Sequence, residues 1–344
     1  MRRVFQYPFN TLNPYQSLLV KALVSKGVDV VAVPESGFKA LLSITYPKNI
    51  SSGILHLHWL SEHIMNHARI IALIRALLLI GIVICWRVFG GRVIWTVHNI
   101  SNHESKNIYI ERFLSISISW LASLITVFGK SGVLPASRYF FLPPAKIKVV
   151  KHAKYFGETQ FRVPALENDN VNFLFFGLLR PYKGLDLLIE SFKEQFGHEH
   201  TLTIAGAAKD TVYLEKLSEL KLGYENISIQ PGWLNSEELI AQIDSCDVVV
   251  LPFLEIFMSG SLIAAVSAGR PVIVGDVGLV RDYVDDSVAF FFVPGDKQSL
   301  ASALSRAARD PDRTIRSIRM RKRSDELSQD VIADDWRLIY ESQS

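Results

Sequence analysis

The stretch Phe175 to Phe192, FFGLLRPYKGLDLLIESF, changes its period in the middle. Up to Gly177 it closes an apolar run that begins at Val171, the mark of a strand buried on both faces. From Gly184 it continues as an amphipathic helix, with Leu185, Leu188, Ile189 and Phe192 along one side. The short loop between them carries Arg180 and Lys183. Strand, loop and helix in this order form the repeating unit of a parallel sheet, and ligands bind beyond the carboxyl ends of such strands. Arg binds oxyanions bidentately and Lys acts as a point charge, so the pair suits a diphosphate. Ordinary surface cations are the plainer reading of the same two residues.

The alternation extends in both directions. Toward the N-terminus, strands are expected at 3–9, 28–33, 53–59, 92–99, 124–129 and 146–155, with Pro14 opening a helix that Gly27 ends. Toward the C-terminus, strands at 201–206, 227–233, 247–253 and 272–274 alternate with helices at 211–222 and 236–246. The polar segment 156–170, which holds Pro164 and lacks periodicity, reads as a linker. The expected fold class is α/β, with two doubly wound, Rossmann-like domains and ligands in the cleft facing both sheets' carboxyl ends. The first domain is placed at 1–160 and the second at 161–325.

The chain has 344 residues, 49% hydrophobic and 21% charged, which suits two folded cores. Cys85 and Cys246 lie in apolar runs and read as buried reduced thiols; with no signal-peptide pattern at the start, a cytoplasmic location is expected. Residues 1–165 carry 19 Lys and Arg against 6 Asp and Glu, while the remainder carries 18 against 28. A basic half seeks polyanions. No helix-turn-helix, zinc spacing or basic-aromatic sheet motif points to nucleic acid. The same half holds Ile70–Trp86, whose one charge is Arg75, and the apolar run Phe113–Ile125. Ile70–Trp86 is shorter than the roughly 20 apolar residues of a membrane span. A core helix, an in-plane docking helix and a true span compete, and Arg69, Arg75, Arg87 and Arg92 favour docking on an anionic surface, at about 1 kcal/mol each. A peripheral protein on the inner membrane face is the expectation. The cation-dense segment 313–326 reads as a solvated helix face.

A second anion site is expected where Ser259-Gly260-Ser261 opens a helix, since free N–H groups and the helix dipole bind phosphate. Either serine also suits a plain N-cap. Together, GLLRPYKGLDLLIESF, TIAG, ISIQPGWLNSEELIAQIDSCDVVVLPF and LIAAVSAGRPVIVGDVG resemble the C-terminal domain of GT-B nucleotide-sugar glycosyltransferases, closely over 171–297. They are most similar to the group that transfers hexoses to bacterial lipids and polysaccharides. The resemblance implies that Arg180 and Lys183 grip the donor diphosphate and that Gly232-Trp233 lies near the base. It also implies that 326–344, around Trp336, crosses back onto the first domain. Many retaining members have two glutamates where this chain has Ile256 and Ala264; Glu255, one position away, is the candidate for the donor sugar. This variant resembles exopolysaccharide transferases, including mannosyltransferases of xanthan-type assembly.

The first half supplies the acceptor side. His56 and His58 share one strand face, and His98 ends a strand with Asn99, His103 and Glu104 beyond it. A histidine at a strand's carboxyl end suits proton transfer, and His98 is the candidate base, with Glu104 orienting it or serving as base itself. His56 reads as a core histidine. No His, Cys and Asp constellation has metal-ligand spacing, so metal-independent transfer without a cofactor is expected. The expected substrates are a GDP- or UDP-sugar such as GDP-mannose and a lipid-linked or glycan acceptor. An epimerase of the same fold and a non-catalytic sugar-nucleotide-binding subunit are the alternatives, the latter favoured by Ala264.

Overall fold

The computed structural model describes residues 2–10, 14–34, 38–64, 67–100, 105–157, 161–163 and 170–343. The chain divides into two compact units: Met1–Ala153 with Leu327–Ser344, and Lys154–Glu326. The division therefore falls after Ala153, ahead of residue 160.

Unit 1 is a six-stranded sheet in which every paired strand is parallel. Its elements are β1 (Arg3–Phe9), α1 (Pro14–Ser25), β2 (Val30–Pro34), α2 (Phe38–Ile44), α3 (Pro47–Ser51), β3 (Gly53–Leu57), α4 (Arg69–Val88), β4 (Arg92–Thr96), α5 (Ile108–Leu121), β5 (Leu124–Val127), α6 (Val133–Phe140) and β6 (Ile147–Val149). The strand order is β2-β1-β3-β4-β5-β6. The order reverses between β1 and β3, so the loops after these two strands flank the switch point.

Unit 2 repeats the plan with β7 (Asn172–Phe176), α7 (Leu185–Phe196), β8 (Thr201–Gly206), α8 (Thr211–Leu220), β9 (Ile227–Pro231), α9 (Ser236–Ser245), β10 (Val248–Leu251), α10 (Gly260–Ser267), β11 (Val272–Gly275), β12 (Ala289–Phe292), α11 (Lys297–Ala308) and α12 (Arg313–Asp325). Its order is β12-β11-β10-β7-β8-β9, again parallel, with the switch point between β7 and β10. The chain then returns to unit 1 as α13 (Gln329–Ser342), burying Ile332, Trp336 and Tyr340. The doubly wound α/β class expected from the alternation is what both units show.

Several boundaries moved. β3 stops at Leu57 and β4 at Thr96, so His58 and His98 lie just past their strands. The last strand of unit 1 is the short Ile147–Val149. The expected linker is described at 156–157, 161–163 and 170; within it the Arg162 N–H donates to Asp244 at 2.8 Å. Both cysteines are free thiols; Cys246 is buried, whereas Cys85 is half-buried.

The apolar run at 70–86 forms α4, and its two sides differ. Ala72, Ala76, Leu79, Ile82, Val83 and Trp86 are buried. Ile70, Ile71, Leu73, Ile74, Leu77 and Leu78 are exposed. Among the described residues α4 is the one helix long and apolar enough to cross a membrane, and 33% of its most apolar window is buried. A core helix would bury far more. Neighbouring α5 exposes Tyr109, Phe113 and Trp120.

Candidate active site

In unit 2 the two loops flanking the switch point converge. After β7 the chain forms a 3-10 turn, Pro181–Lys183, and Gly184 enters α7 in the left-handed region at φ 69°. The Leu254 N–H from the β10 loop donates to the Tyr182 carbonyl at 3.2 Å, fastening one loop to the other. Lys183 is 8% exposed, and its ammonium lies 4.3 Å from the centroid of the Phe253 ring. No carboxylate pairs with it among the described residues, and burial lowers its pKa to about 8. A buried cation without an anion is costly, and a bound phosphate removes that cost. Arg180 is half-buried on the same turn.

The hydroxyls of the Ser-Gly-Ser segment are engaged. Ser259 caps α10, accepting from the Leu262 N–H at 3.2 Å, and Ser261 donates to the Phe176 carbonyl at 3.0 Å. Their side chains thus anchor the helix start to the end of β7. The first N–H groups, those of Gly260 and Ser261, have no intrahelical acceptor and are what remains for an anion. Ala264 is buried within α10, and Glu255 is exposed on the loop after β10. At the far end of α10 the Arg270 guanidinium is fully buried, spanning the carbonyls of Ile243, Arg162 and Asp244. That end is scaffold.

A bare ledge follows toward the sheet edge. β7, β8 and β9 are followed or closed by Gly177, Gly206 and Gly232 at φ 129°, 147° and 154°. The Gly232 N–H donates to the Gly206 carbonyl at 3.0 Å, and a Cβ on Gly206 would lie 1.8 Å from the Gly177 carbonyl oxygen. The strand ends therefore carry no side chains over this width, and Trp233, 69% exposed, stands beside them. Flat apolar ligand surface fits such a ledge.

In unit 1 the carboxyl ends of the strands carry a layer of histidines and aromatics. The His98 ring stacks on Trp59 at 4.0 Å between centroids and touches Tyr15 and Phe128 edge-on. His58 and His98 are joined by a 3.1 Å hydrogen bond between Nδ1 and Nε2. His152, after β6, lies against Tyr15 and Phe128. Burial lowers all four rings: His58 to about 3, His152 to about 4, and His56 and His98 well below the usual value. His56 is a core residue, fully buried and bonded to Thr96 and Tyr340. Glu104 and His103 lie outside the described residues.

Sequence reasoning missed Gln6, His152 and Tyr340 as parts of this layer. Gln6 had a signal, as the polar residue inside the apolar strand RVFQYPF. Among the described residues no group of three or more His, Cys, Asp or Glu side chains could hold a metal ion.

Residues 170–310 match the family model for glycosyl transferases group 1. The chain is 27% identical over 227 residues to GDP-mannose:glycolipid 4-beta-D-mannosyltransferase of Xanthomonas campestris pv. campestris, covering 64% of this chain and 60% of that relative's length. Among solved structures, it is similar to sucrose-phosphate synthase from Thermosynechococcus elongatus (TM-score 0.74, 15% identity, 99% of each chain). Anabaena HepE in complex with UDP and glucose gives TM-score 0.73 at 14% identity, over 99% of this chain and 100% of that one. These likenesses show the GT-B fold.

Proposed function

We propose that this chain, a GT-B fold with a group 1 glycosyltransferase domain in unit 2, is a glycosyltransferase that moves a hexose from a nucleotide sugar to a lipid-linked or polysaccharide acceptor. GDP-mannose is the preferred donor, on the strength of the mannosyltransferase relative. The observation that carries the proposal is Lys183: a nearly buried ammonium at the switch point, over an aromatic ring and with no carboxylate paired to it among the described residues. Such a group has a use when a diphosphate arrives.

In this reading Arg180, Lys183 and the Gly260 and Ser261 N–H groups hold the diphosphate and meet the charge that develops as it leaves. The glycine ledge takes the nucleoside, with Trp233 against the base, and Glu255 is the candidate contact for the sugar. In unit 1, His98 takes the proton of the acceptor hydroxyl. The acceptor oxygen bonds to the anomeric carbon, the bond from that carbon to the phosphate oxygen breaks, and its electron pair leaves with the nucleoside diphosphate. Protein cations do the work that a divalent ion does elsewhere.

Two features support a membrane-held acceptor. The exposed apolar rows of α4 and α5 together form a patch that water disfavours. Arg69, Lys106 and Arg112, exposed on or beside these helices, suit anionic headgroups. We place the protein at the inner membrane face on these grounds.

The test is calorimetric titration with GDP-mannose, UDP-glucose, GDP and UDP, followed by transfer of labelled mannose to a membrane glycolipid extract. Binding of at least one nucleotide sugar, lost in Lys183→Ala, is expected. Lack of binding by all four at millimolar concentration, or unchanged binding in Lys183→Ala, overturns the proposal.

A further inference from the structure

Gln6 sits in the centre of β1 with both ends of its amide engaged. Its Nε2 lies 3.0 Å from the Tyr340 hydroxyl and 3.2 Å from His56 Nδ1, and its Oε1 lies 2.5 Å from His58 Nε2. A carbonyl oxygen can only accept, so His58 carries a proton on Nε2. Burial keeps this ring neutral, with one proton in all. Its Nδ1 is then a bare lone pair and accepts from His98 Nε2 at 3.1 Å. The His98 proton therefore resides on Nε2, leaving Nδ1 as the basic atom.

The other arm agrees with this assignment. The Gln6 amide donates to Tyr340, whose hydroxyl donates to His56 Nδ1 at 2.8 Å. His56 Nε2–H then donates to Thr96 at 2.7 Å, and Thr96 joins Thr126 at 2.8 Å. Donor and acceptor roles along the line are consistent, with His56 Nδ1 facing both the Tyr340 hydroxyl and the Gln6 amide nitrogen. A network satisfied this way resists tautomer exchange. The titratable groups facing His98 are His58, Tyr15 and His152.

We infer that Gln6 and His58 are positioning residues that lock His98 in the Nε2–H tautomer, so that Nδ1 is the atom that receives the acceptor's proton. The inference rests on the proposed function for its use, though not for its geometry. When Nδ1 takes the proton, the His98 Nε2–H bond to neutral His58 becomes charge-assisted and strengthens. His58 gains no proton, because its own Nε2–H is held by Gln6. A base whose tautomer is fixed before substrate arrives spends no free energy on sorting itself.

The experiment uses the full chain with 15N-labelled histidine. At neutral pH the ring nitrogen shifts of His98 should show a protonated Nε2 and a bare Nδ1. His58→Phe removes the acceptor and should mix the two His98 tautomers. The same variant should lower kcat at least about tenfold, with the KM for the nucleotide sugar unchanged. His58→Asn keeps an oxygen acceptor near the lost Nδ1, and should restore the Nε2–H tautomer and most of kcat. A wild-type His98 protonated on Nδ1, or an unaltered His98 tautomer in folded His58→Phe, overturns the inference. The wild-type spectrum needs no variant to fold and no substrate. A chain that shows the Nε2–H tautomer but transfers no sugar overturns the proposed function and leaves the positioning assignment supported.

Discussion

Acidification from pH 7 to pH 5 should destabilise unit 1 sharply, and the size of the loss follows from the histidine layer. His56, His58, His98 and His152 are all held neutral by burial. In the unfolded chain each returns to a pKa near 6.5. Below pH 6.5 the unfolded state therefore binds protons that the folded state refuses, so stability falls as pH falls. For His58 and His152 the window runs from 6.5 down to about 3 and about 4. Within it each group contributes a slope of about 1.4 kcal/mol per pH unit. At pH 5 that is about 2 kcal/mol for each of these two rings, or about 4 kcal/mol together, and His56 and His98 act in the same direction. A typical domain has about 5–15 kcal/mol in all, so the loss is a large share of it. Above pH 6.5 the same groups contribute no slope. Urea unfolding followed by circular dichroism at half-unit pH steps measures it, and His152→Gln should remove about 2 kcal/mol of the loss at pH 5. A loss below about 1 kcal/mol between pH 7 and pH 5 would refute the assignment of His58 and His152 as neutral and buried.

Further expectations concern the other parts. Because Lys183 titrates near 8 without ligand, nucleoside diphosphate affinity should weaken up to about tenfold per pH unit above 8; a flat affinity from pH 7 to pH 9.5 contradicts this. Gly206→Ala forces a Cβ onto the Gly177 carbonyl at φ 147° and should cost more than about 3 kcal/mol. Gly81→Ala on α4, where a Cβ meets no atom within 4 Å, should instead stabilise by up to about 1 kcal/mol; thermal melts of the two variants decide. Leu73→Glu with Leu77→Glu, both on the exposed row of α4, should abolish flotation with anionic vesicles while leaving calorimetric nucleotide affinity unchanged. Retained flotation would remove α4 from the docking surface.

Local pattern made much of this protein legible. A switch from a buried apolar run to helical spacing, as at 171–192, records which faces are covered, and that is enough to read strands, helices and their parallel order. The Arg180/Lys183 turn was visible because its position at a strand's carboxyl end follows from the same pattern. Ser259 and Ser261 show the limit. Their helix start could be read, but the hydrogen bond from Ser261 to Phe176 depends on which strand lies beside β10, and only the sheet order decides that. Likewise the composition of α4 marks it as apolar, while the side left uncovered is set by the sheet and helix it packs against. The histidine layer was least legible of all. Gln6 and Tyr340 are 334 residues apart, and neither carries a local sign of the other. Periodicity encodes burial, which is a property of one segment; the direction of a proton along Gln6, His58 and His98 belongs to β1 and to the loops after β3 and β4 at once, and only the tertiary structure brings them together.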